Sequence, residues 1–501
     1  MRSLRWACVL AGIVALWLSY RPMGAPYITN DGYQYLDAAS NLASGECFCT
    51  RVAVFDEQVA YGRMPVPFTH FAPGYPLLMT ALAKFGIREE TAGYLLSALG
   101  YLAVIWLMWE IGLTLGASPW VIALFSLLWI THATALYYAA MVGTESLFTA
   151  LLLLLAALIA RDVRSKAMIG VVAGLAYWIR YPGLFLVASA GVYLIFVAWR
   201  VPRERRSAIG GLVASALLVG AIQIRNAIYS GSWQGGFKSA GGRHKIGAAA
   251  VDSVKAFLHL LTGDRLPLHL NVWTLLLLLS SAALLFAIWK GSWAQPALVW
   301  VVFIGVAYVG GIFVATLATI AGDLPRYYFP VYPLILACAA VVSGRSLAVI
   351  PFVIAALAVQ GPNLFVRPDQ PDWVLTRSYL SESEPSGASL LDWLRNHVGP
   401  NETILAVEGQ ALHYILQRNV VAVVPARDTT RRSDEEGFHT LMRQNKTRYL
   451  VVFPGAPADR VLEQTSYGFM SSLAAGSAPP WLRLAARTRD AAVYECPDCS
   501  S

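Results

Sequence analysis

The chain has 501 residues, of which 57% are hydrophobic and only 14% charged, and its mean hydropathy is +0.54. A soluble core of this size needs far more charge on its surface, so a cytosolic enzyme, a secreted disulfide scaffold and a disordered chain are excluded, and a polytopic membrane protein remains. The formal net charge of +8 does not point to nucleic acid, because the basic residues stand in short clusters between apolar runs, as membrane topology demands.

The first apolar run, 6–20, follows Arg2 and Arg5. Its flanks and length suit a signal peptide, but no small-residue cleavage site follows and further apolar runs do, so it reads as a first helix with its N-terminus inside. A hydrocarbon core of roughly 30 Å needs about 20 apolar residues per helix, and the chain offers about 11 such segments. They are 6–20, 92–115, 119–138, 146–160, 167–180, 184–199, 207–224, 271–289, 295–320, 327–343 and 346–364. The runs 167–180 and 184–199 are split by Tyr181-Pro182-Gly183, which predicts a tight turn at the outer surface.

Orientation follows from the loops that this scheme places inside. They carry Arg2, Arg5, Arg161, Arg164, Lys166, Arg200, Arg203, Arg205, Arg206, Lys290 and Arg345, with Asp162 and Glu204 as their acids. That excess puts 21–91, 139–145, 225–270 and the chain after about 365 on the outer side.

From 366 to 501 charges become frequent and apolar residues fall in short runs bounded by turn formers, the pattern of a small soluble α/β domain. The segment 387–398 has helical spacing, and 403–407, 420–424 and 448–453 read as strands; no catalytic motif stands out. The domains are therefore a transmembrane part, 1–365, and an extracytoplasmic part, 366–501. Cys8 and Cys338 sit in apolar spans, whereas Cys47, Cys49, Cys496 and Cys499 fall on the oxidising side. Those four suit two disulfides; Cys496-Pro-Asp-Cys499 also has zinc-ligand spacing, although the one-residue gap at Cys47-Phe-Cys49 is tight for it.

Ionisable groups at membrane ends and in outer loops are the default functional candidates in such a chain. In 30–42, Tyr35, Leu36, Ala39 and Leu42 form an apolar stripe at helical spacing, which predicts an amphipathic helix on the membrane surface. Asp31 stands at its start, where helix capping is the bland explanation. His70, Asp56, Glu57, Asp323 and His244 are outer polar residues without an assigned role. The spans are expected to be clean of ionisable groups at mid-depth, and no internal repeat is found, which argues against a transporter, the alternative function. A membrane-anchored receptor or scaffold leaves the outer acids and arginines unexplained.

Taken in order, Asp31 with Tyr33 and Tyr35, then Asn41-Leu42 with Gly45, then Pro73-Gly74-Tyr75-Pro76, then Thr144-Glu145-Ser146, Arg180-Tyr181-Pro182-Gly183, Arg225-Asn226 and Arg326-Tyr327-Tyr328 form a set. The set resembles the GT-C glycosyltransferases that use polyprenyl-phosphate sugars, the protein O-mannosyltransferase and aminoarabinose transferase group. The resemblance covers 1–345 and, more loosely, the tail. It implies a multi-pass enzyme of the inner (plasma) membrane. The enzyme would move a sugar from a lipid-linked phosphate to an acceptor hydroxyl of a lipid, glycan or protein, by one inverting displacement. The resemblance assigns the base to Asp31. Glu145 would orient the acceptor or assist the base, and the leaving phosphate would meet Arg180, Arg225 or Arg326, because a guanidinium binds phosphate bidentately and stays charged. Tyr33, Tyr35, Tyr75 and Asn226 are the candidate sugar or acceptor pocket. We assign no cofactor, no metal and no nucleic acid. A second acid often follows the first in relatives; here the second position is Gly32, and Asp37 lies off the face of Asp31 as a backup base.

The topology is open to test. A reporter active only outside the cytoplasm, fused after Ser501, should be active; a silent fusion of a stably inserted protein would put the helix count off by one.

Overall fold

The computed structural model describes the chain apart from residues 1, 24–26, 54–62, 236–245, 263–271, 293–294, 319–323, 344–348, 361–384, 408, 424–433, 454–468, 470–471, 474, 489–490 and 500–501. Asp56, Glu57, His244 and Asp323 therefore lie outside the described residues.

Helix α1 (Arg2–Met23) is followed by strand β1 (Tyr27–Ile28), helix α2 (Asn30–Ala43), strands β2 (Cys49–Thr50), β3 (Val52–Ala53) and β4 (Val66–Pro67), and helix α3 (Gly74–Ala83). The long α4 (Glu89–Thr114) leads to α5 (Pro119–Ile130), α6 (Ala133–Ala139), strand β5 (Met141–Val142), α7 (Glu145–Ala160), α8 (Ala167–Ile179), α9 (Gly183–Arg200) and α10 (Arg205–Ser230). Helices α11 (Ile246–Thr262), α12 (Val272–Ser292), α13 (Pro296–Ala318), α14 (Leu324–Tyr328), α15 (Tyr332–Ser343) and α16 (Val349–Gln360) follow.

Among the described residues, six helical stretches are long and apolar enough to cross a membrane: α1, α4, α9, α10, α13 and the α14–α15 run. Shorter apolar helices, α7, α8, α12 and α16, fall on other predicted segments, and α3 is one that lay hidden within an outer loop. The segment 119–138, expected as one span, is α5 and α6 bent by 68°. His132 occupies the break and caps α6: its Nδ1 accepts from the Ala135 N–H at 3.4 Å and its Nε2 donates to the Leu260 carbonyl at 2.7 Å. A backbone break inside a low-dielectric interior frees polar groups, and a fully buried imidazole meets part of that need.

The central α4 packs against α7 closely enough that backbone meets backbone. A Cβ on Gly100 would lie 2.6 Å from the Leu147 nitrogen, so only glycine fits at this crossing. Around it, Trp109, Phe125, Trp129, Phe148 and Tyr308 fill the apolar core. At one end of the bundle, Arg5 bonds Glu110 at 2.5 Å while Arg161 meets the other oxygen of that carboxylate. Lys166 is held there by Asp162 and, at 3.1 Å, by Glu204, so the two acids among the predicted basic loops are its partners.

The C-terminal part comprises α17 (Pro385–His397), β6 (Thr403–Val407), α18 (Gly409–Leu416), β7 (Asn419–Val423), α19 (Glu435–Gln444), β8 (Tyr449–Val452), β9 (Arg483–Arg487) and β10 (Ala492–Glu495). Its six-stranded sheet has the order β3-β7-β6-β8-β10-β9. The edge strand β3 comes from the first long loop and runs parallel to β7, with Val52 opposite Val420 and Ala53 opposite Val421. A division at residue 365 misses this strand, because two residues are too short to read as a strand without their partner.

Replacing Gly100 by Val should cost at least the roughly 1–3 kcal/mol of an overpacked core. The check is thermal unfolding in detergent, and an unchanged midpoint would contradict the close crossing of α4 and α7.

Candidate active site

Two short strands create the site. β1 and β5 pair in parallel, Tyr27 with Met141 and Ile28 with Val142. Asp31 follows Ile28 by the same three residues as Glu145 follows Val142, so this register brings the two acids to one place. Each begins a helix. Acids in a first turn face the positive end of the backbone dipole, which favours both carboxylates.

Asp31 is not the cap of α2. Thr29 is: its hydroxyl accepts from the Gly32 N–H at 2.8 Å, which leaves the Asp31 carboxylate available. Gly32 lies so close to β5 that a Cβ there would be 2.6 Å from the Val142 carbonyl oxygen. A second acid cannot stand at position 32 without separating β1 from β5. The second carboxylate of the site is instead Glu145, supplied by α7.

Arg326, in the short α14, joins the acids. Its Nη2 is 2.7 Å from Asp31 Oδ2, and its Nε bonds Glu145 Oε1. The same Glu145 oxygen accepts from Arg180 Nη1 at 2.7 Å. Arg180 caps the C-terminus of α8, where a cation is favoured, and lies over the Tyr327 ring, 5.4 Å from its centroid. The result is a continuous chain, Asp31, Arg326, Glu145, Arg180, whose four formal charges cancel. Exposure divides it: the side chains of Glu145 and Arg180 are 0% and 9% exposed, those of Arg326 and Asp31 18% and 23%. A ligand can therefore reach the Asp31–Arg326 end, while Glu145 and Arg180 hold that end in place.

Tyr35, on α2, is buried near this ion chain. Burial first, then the Asp31 charge, pushes its phenol well above the ordinary range, so it stays protonated. Phe71 and Tyr75 pack edge-on against it at 5.3 and 5.4 Å.

Other predicted site residues lie in different networks. Tyr75 donates to the Gly93 carbonyl at 2.7 Å and accepts from the Gly143 N–H at 3.2 Å, which ties α3 to α4 and to the turn before Glu145; its hydroxyl is not offered to a sugar. Tyr33 packs on Tyr414 of the C-terminal part, with ring centroids 5.1 Å apart. Arg225 donates to the Phe68 carbonyl at 2.5 Å, and Asn226 donates to the Tyr181 hydroxyl at 3.0 Å. That hydroxyl is 2.7 Å from the Thr69 carbonyl, so these residues secure the loop after β4. Sequence reasoning missed this duty of Tyr181, since its partners are backbone carbonyls far away in the chain. His70 packs edge-on against Phe71 at 4.7 Å.

The surface helix is also corrected. α2 is buried on both sides, between α3 and α18, because its polar residues as well as its apolar stripe find partners. Asp37, the backup base, is one of these: it accepts from the Thr50 hydroxyl at 2.8 Å and the Arg51 N–H at 2.6 Å. Cys47 pairs with Cys49 and Cys496 with Cys499 as disulfides.

No family model matches the chain, and no curated protein matches it by sequence. Its fold is one seen in the GT-C glycosyltransferases of membranes. The chain is similar to the crystal structure of apo ArnT from Cupriavidus metallidurans, at 14% identity and a TM-score of 0.57 over 100% of both chains. It is also similar to ArnT from the same organism bound to undecaprenyl phosphate, at 13% identity and a TM-score of 0.56 over 99% of this chain and 98% of that one. A more distant likeness is to the oligosaccharyltransferase of Archaeoglobus fulgidus tethered to an acceptor peptide, at 11% identity and a TM-score of 0.47, covering 95% of this chain and 71% of that one.

Removing the charge of Glu145 leaves the buried Arg180 guanidinium without its partner and facing the partly exposed Arg326. Glu145→Gln should therefore destabilise the protein by about 3–5 kcal/mol, the usual cost of breaking a buried pair from one side. Adding Arg180→Met should recover part of that loss in thermal unfolding, and no recovery would mean that the pair is not coupled.

Proposed function

We propose that the protein is an integral-membrane glycosyltransferase. It moves a sugar from a polyprenyl-phosphate donor to an acceptor hydroxyl at the outer face of the inner (plasma) membrane. The observation that carries this reading is the ion chain from Asp31 to Arg180 at one end of a bundle with the ArnT fold. A sugar joined through phosphate to a long lipid has its leaving group fixed at the membrane surface. The reaction therefore needs a base and a cation side by side there, and Asp31 and Arg326 are 2.7 Å apart. The second ArnT structure contains undecaprenyl phosphate, the chemical class of the product left after transfer.

Arg326 divides itself between Asp31 and Glu145. An incoming donor phosphate competes for the Asp31 side of the guanidinium, while Glu145 retains the other. The exchange releases Asp31 at the moment the donor is bound. The acceptor oxygen then attacks the anomeric carbon, its proton passes to Asp31, and the bond from that carbon to the phosphate oxygen breaks on the opposite face. One displacement inverts the anomeric centre. Glu145 and Arg180 hold Arg326 throughout, and Tyr35 lines the pocket. The sequence reading of about 11 spans with the tail from 366 outside supports an outer-side position for this end of the bundle.

The test is transfer from a panel of radiolabelled polyprenyl-phosphate sugars by purified protein. Asp31→Asn should lower turnover by about 10²-fold or more, the low end of what loss of a general base costs, with donor binding retained. Near-normal turnover would exclude Asp31 as the base. Arg326→Lys keeps the charge but loses the planar fork, so a large fall in turnover is expected there too; full activity would remove Arg326 from the phosphate site.

A further inference from the structure

Helix α2 is gripped from two sides. From α3, Thr80 lies against it, its hydroxyl donating to the Ala39 carbonyl at 3.2 Å. From α18 the grip is polar: His413 Nε2 is 3.1 Å from Asp37 Oδ1, and the two side chains are 1% and 5% exposed. The other ring nitrogen, Nδ1, bonds the Arg418 carbonyl. Each ring nitrogen therefore faces an oxygen atom, one on α2 and one on the chain after α18. The neighbouring residue extends the contact. Tyr414 packs on Tyr33 and donates to Glu90 Oε2 on α4 at 3.0 Å.

Apolar packing alone could attach a domain here, but it tolerates sliding. A hydrogen bond between buried groups is directional and defines the rotation of α2 about its own axis. Burial opposes the Asp37 charge, yet His413, the Arg51 N–H and the Thr50 hydroxyl together hold its carboxyl below the usual range, so it stays an anion for His413 to meet. Asp31 is carried by the same helix, six residues earlier, or about 9 Å along the axis.

We propose that His413 is a positioning residue for the transfer reaction: through Asp37 it sets the rotation and depth of α2 and so holds Asp31 against Arg326. The C-terminal part is then a component of the catalytic site, reaching the base without touching the substrate. This rests on the reading of Asp31 as base.

The first measurement needs no substrate. Hydrogen exchange of the full chain in lipid nanodiscs should show that His413→Ala loosens residues 30–43 while the amides of α4 and of strands β6, β7 and β8 keep their protection. Unchanged exchange in 30–43 would overturn the proposal. Loosening throughout the sheet would make His413 merely structural and would overturn it too. The second measurement uses whichever radiolabelled polyprenyl-phosphate sugar the wild type turns over. His413→Ala should lower kcat by about 10-fold, short of the roughly 10²-fold that a 1 Å misplacement costs, with KM for donor and acceptor little changed. His413→Gln, which keeps one donor for Asp37, should restore most of it. In an Asp31→Asn background His413→Ala should add no further loss, as expected of residues acting through one another. Wild-type kcat in His413→Ala, or an independent added loss in the double variant, would sink the positioning role. Wild-type turnover in Asp31→Asn alone would sink the base assignment, so the two failures are read from different variants.

Discussion

A guanidinium withdrawn from water is tolerated where carboxylates meet it with good geometry, and Arg326 is met by two that lie far apart in the chain. The pairing of β1 with β5 makes this possible. Two residues of parallel strand on each side bring two helix starts together, and an acid stands in the first turn of each. Arg326 then ties α14 to both, and Arg180 adds the end of α8. Four segments of the bundle are organised by one neutral set of charges, and in the proposed reaction the same set supplies the base and the cation.

The helix that carries Asp31 shows how strongly that arrangement is enforced. Gln34, Asp37 and Asn41 are buried on it, which would be costly on a helix facing lipid. Asn41 donates to the Cys49 carbonyl at 3.1 Å, and Asp37 gathers donors from Thr50, Arg51 and His413. The loop that follows α2 contributes β3 to the C-terminal sheet, so one stretch of chain belongs both to the helix of Asp31 and to that sheet. Shifting either would disturb the other.

Charge has different work at the two ends of the bundle. Arg5, Arg161 and Lys166 are matched by Glu110, Asp162 and Glu204 within or near the helix ends, and these pairs join neighbouring elements. At the Asp31 end the pairing is graded in exposure, from the enclosed Glu145 to the reachable Asp31. A phosphate can compete for a partly exposed arginine, whereas an enclosed pair resists exchange because separating it strands a charge.

Composition and hydropathy were enough to determine that the chain is a membrane-embedded helical bundle, because about 20 apolar residues in a row have no other stable solvent. The apolar segments and the strands at 403–407, 420–424 and 448–453 were legible from local periodicity. Asp31, Glu145, Arg180 and Arg326 were recognisable as candidates because ionisable groups beside apolar spans are expensive. Local sequence could not reveal which of them meet. Arg225 looked equivalent to Arg180 and Arg326, yet tertiary packing turned it to the Phe68 carbonyl. Nor could it reveal that Thr29 is the cap, that α5 bends at His132, or that His413 faces Asp37, since each depends on partners brought together by the fold. Patterning reports a residue's solvent, which is a local property; the partner of a buried charge is decided by packing and strand register, and these exist only in the folded chain.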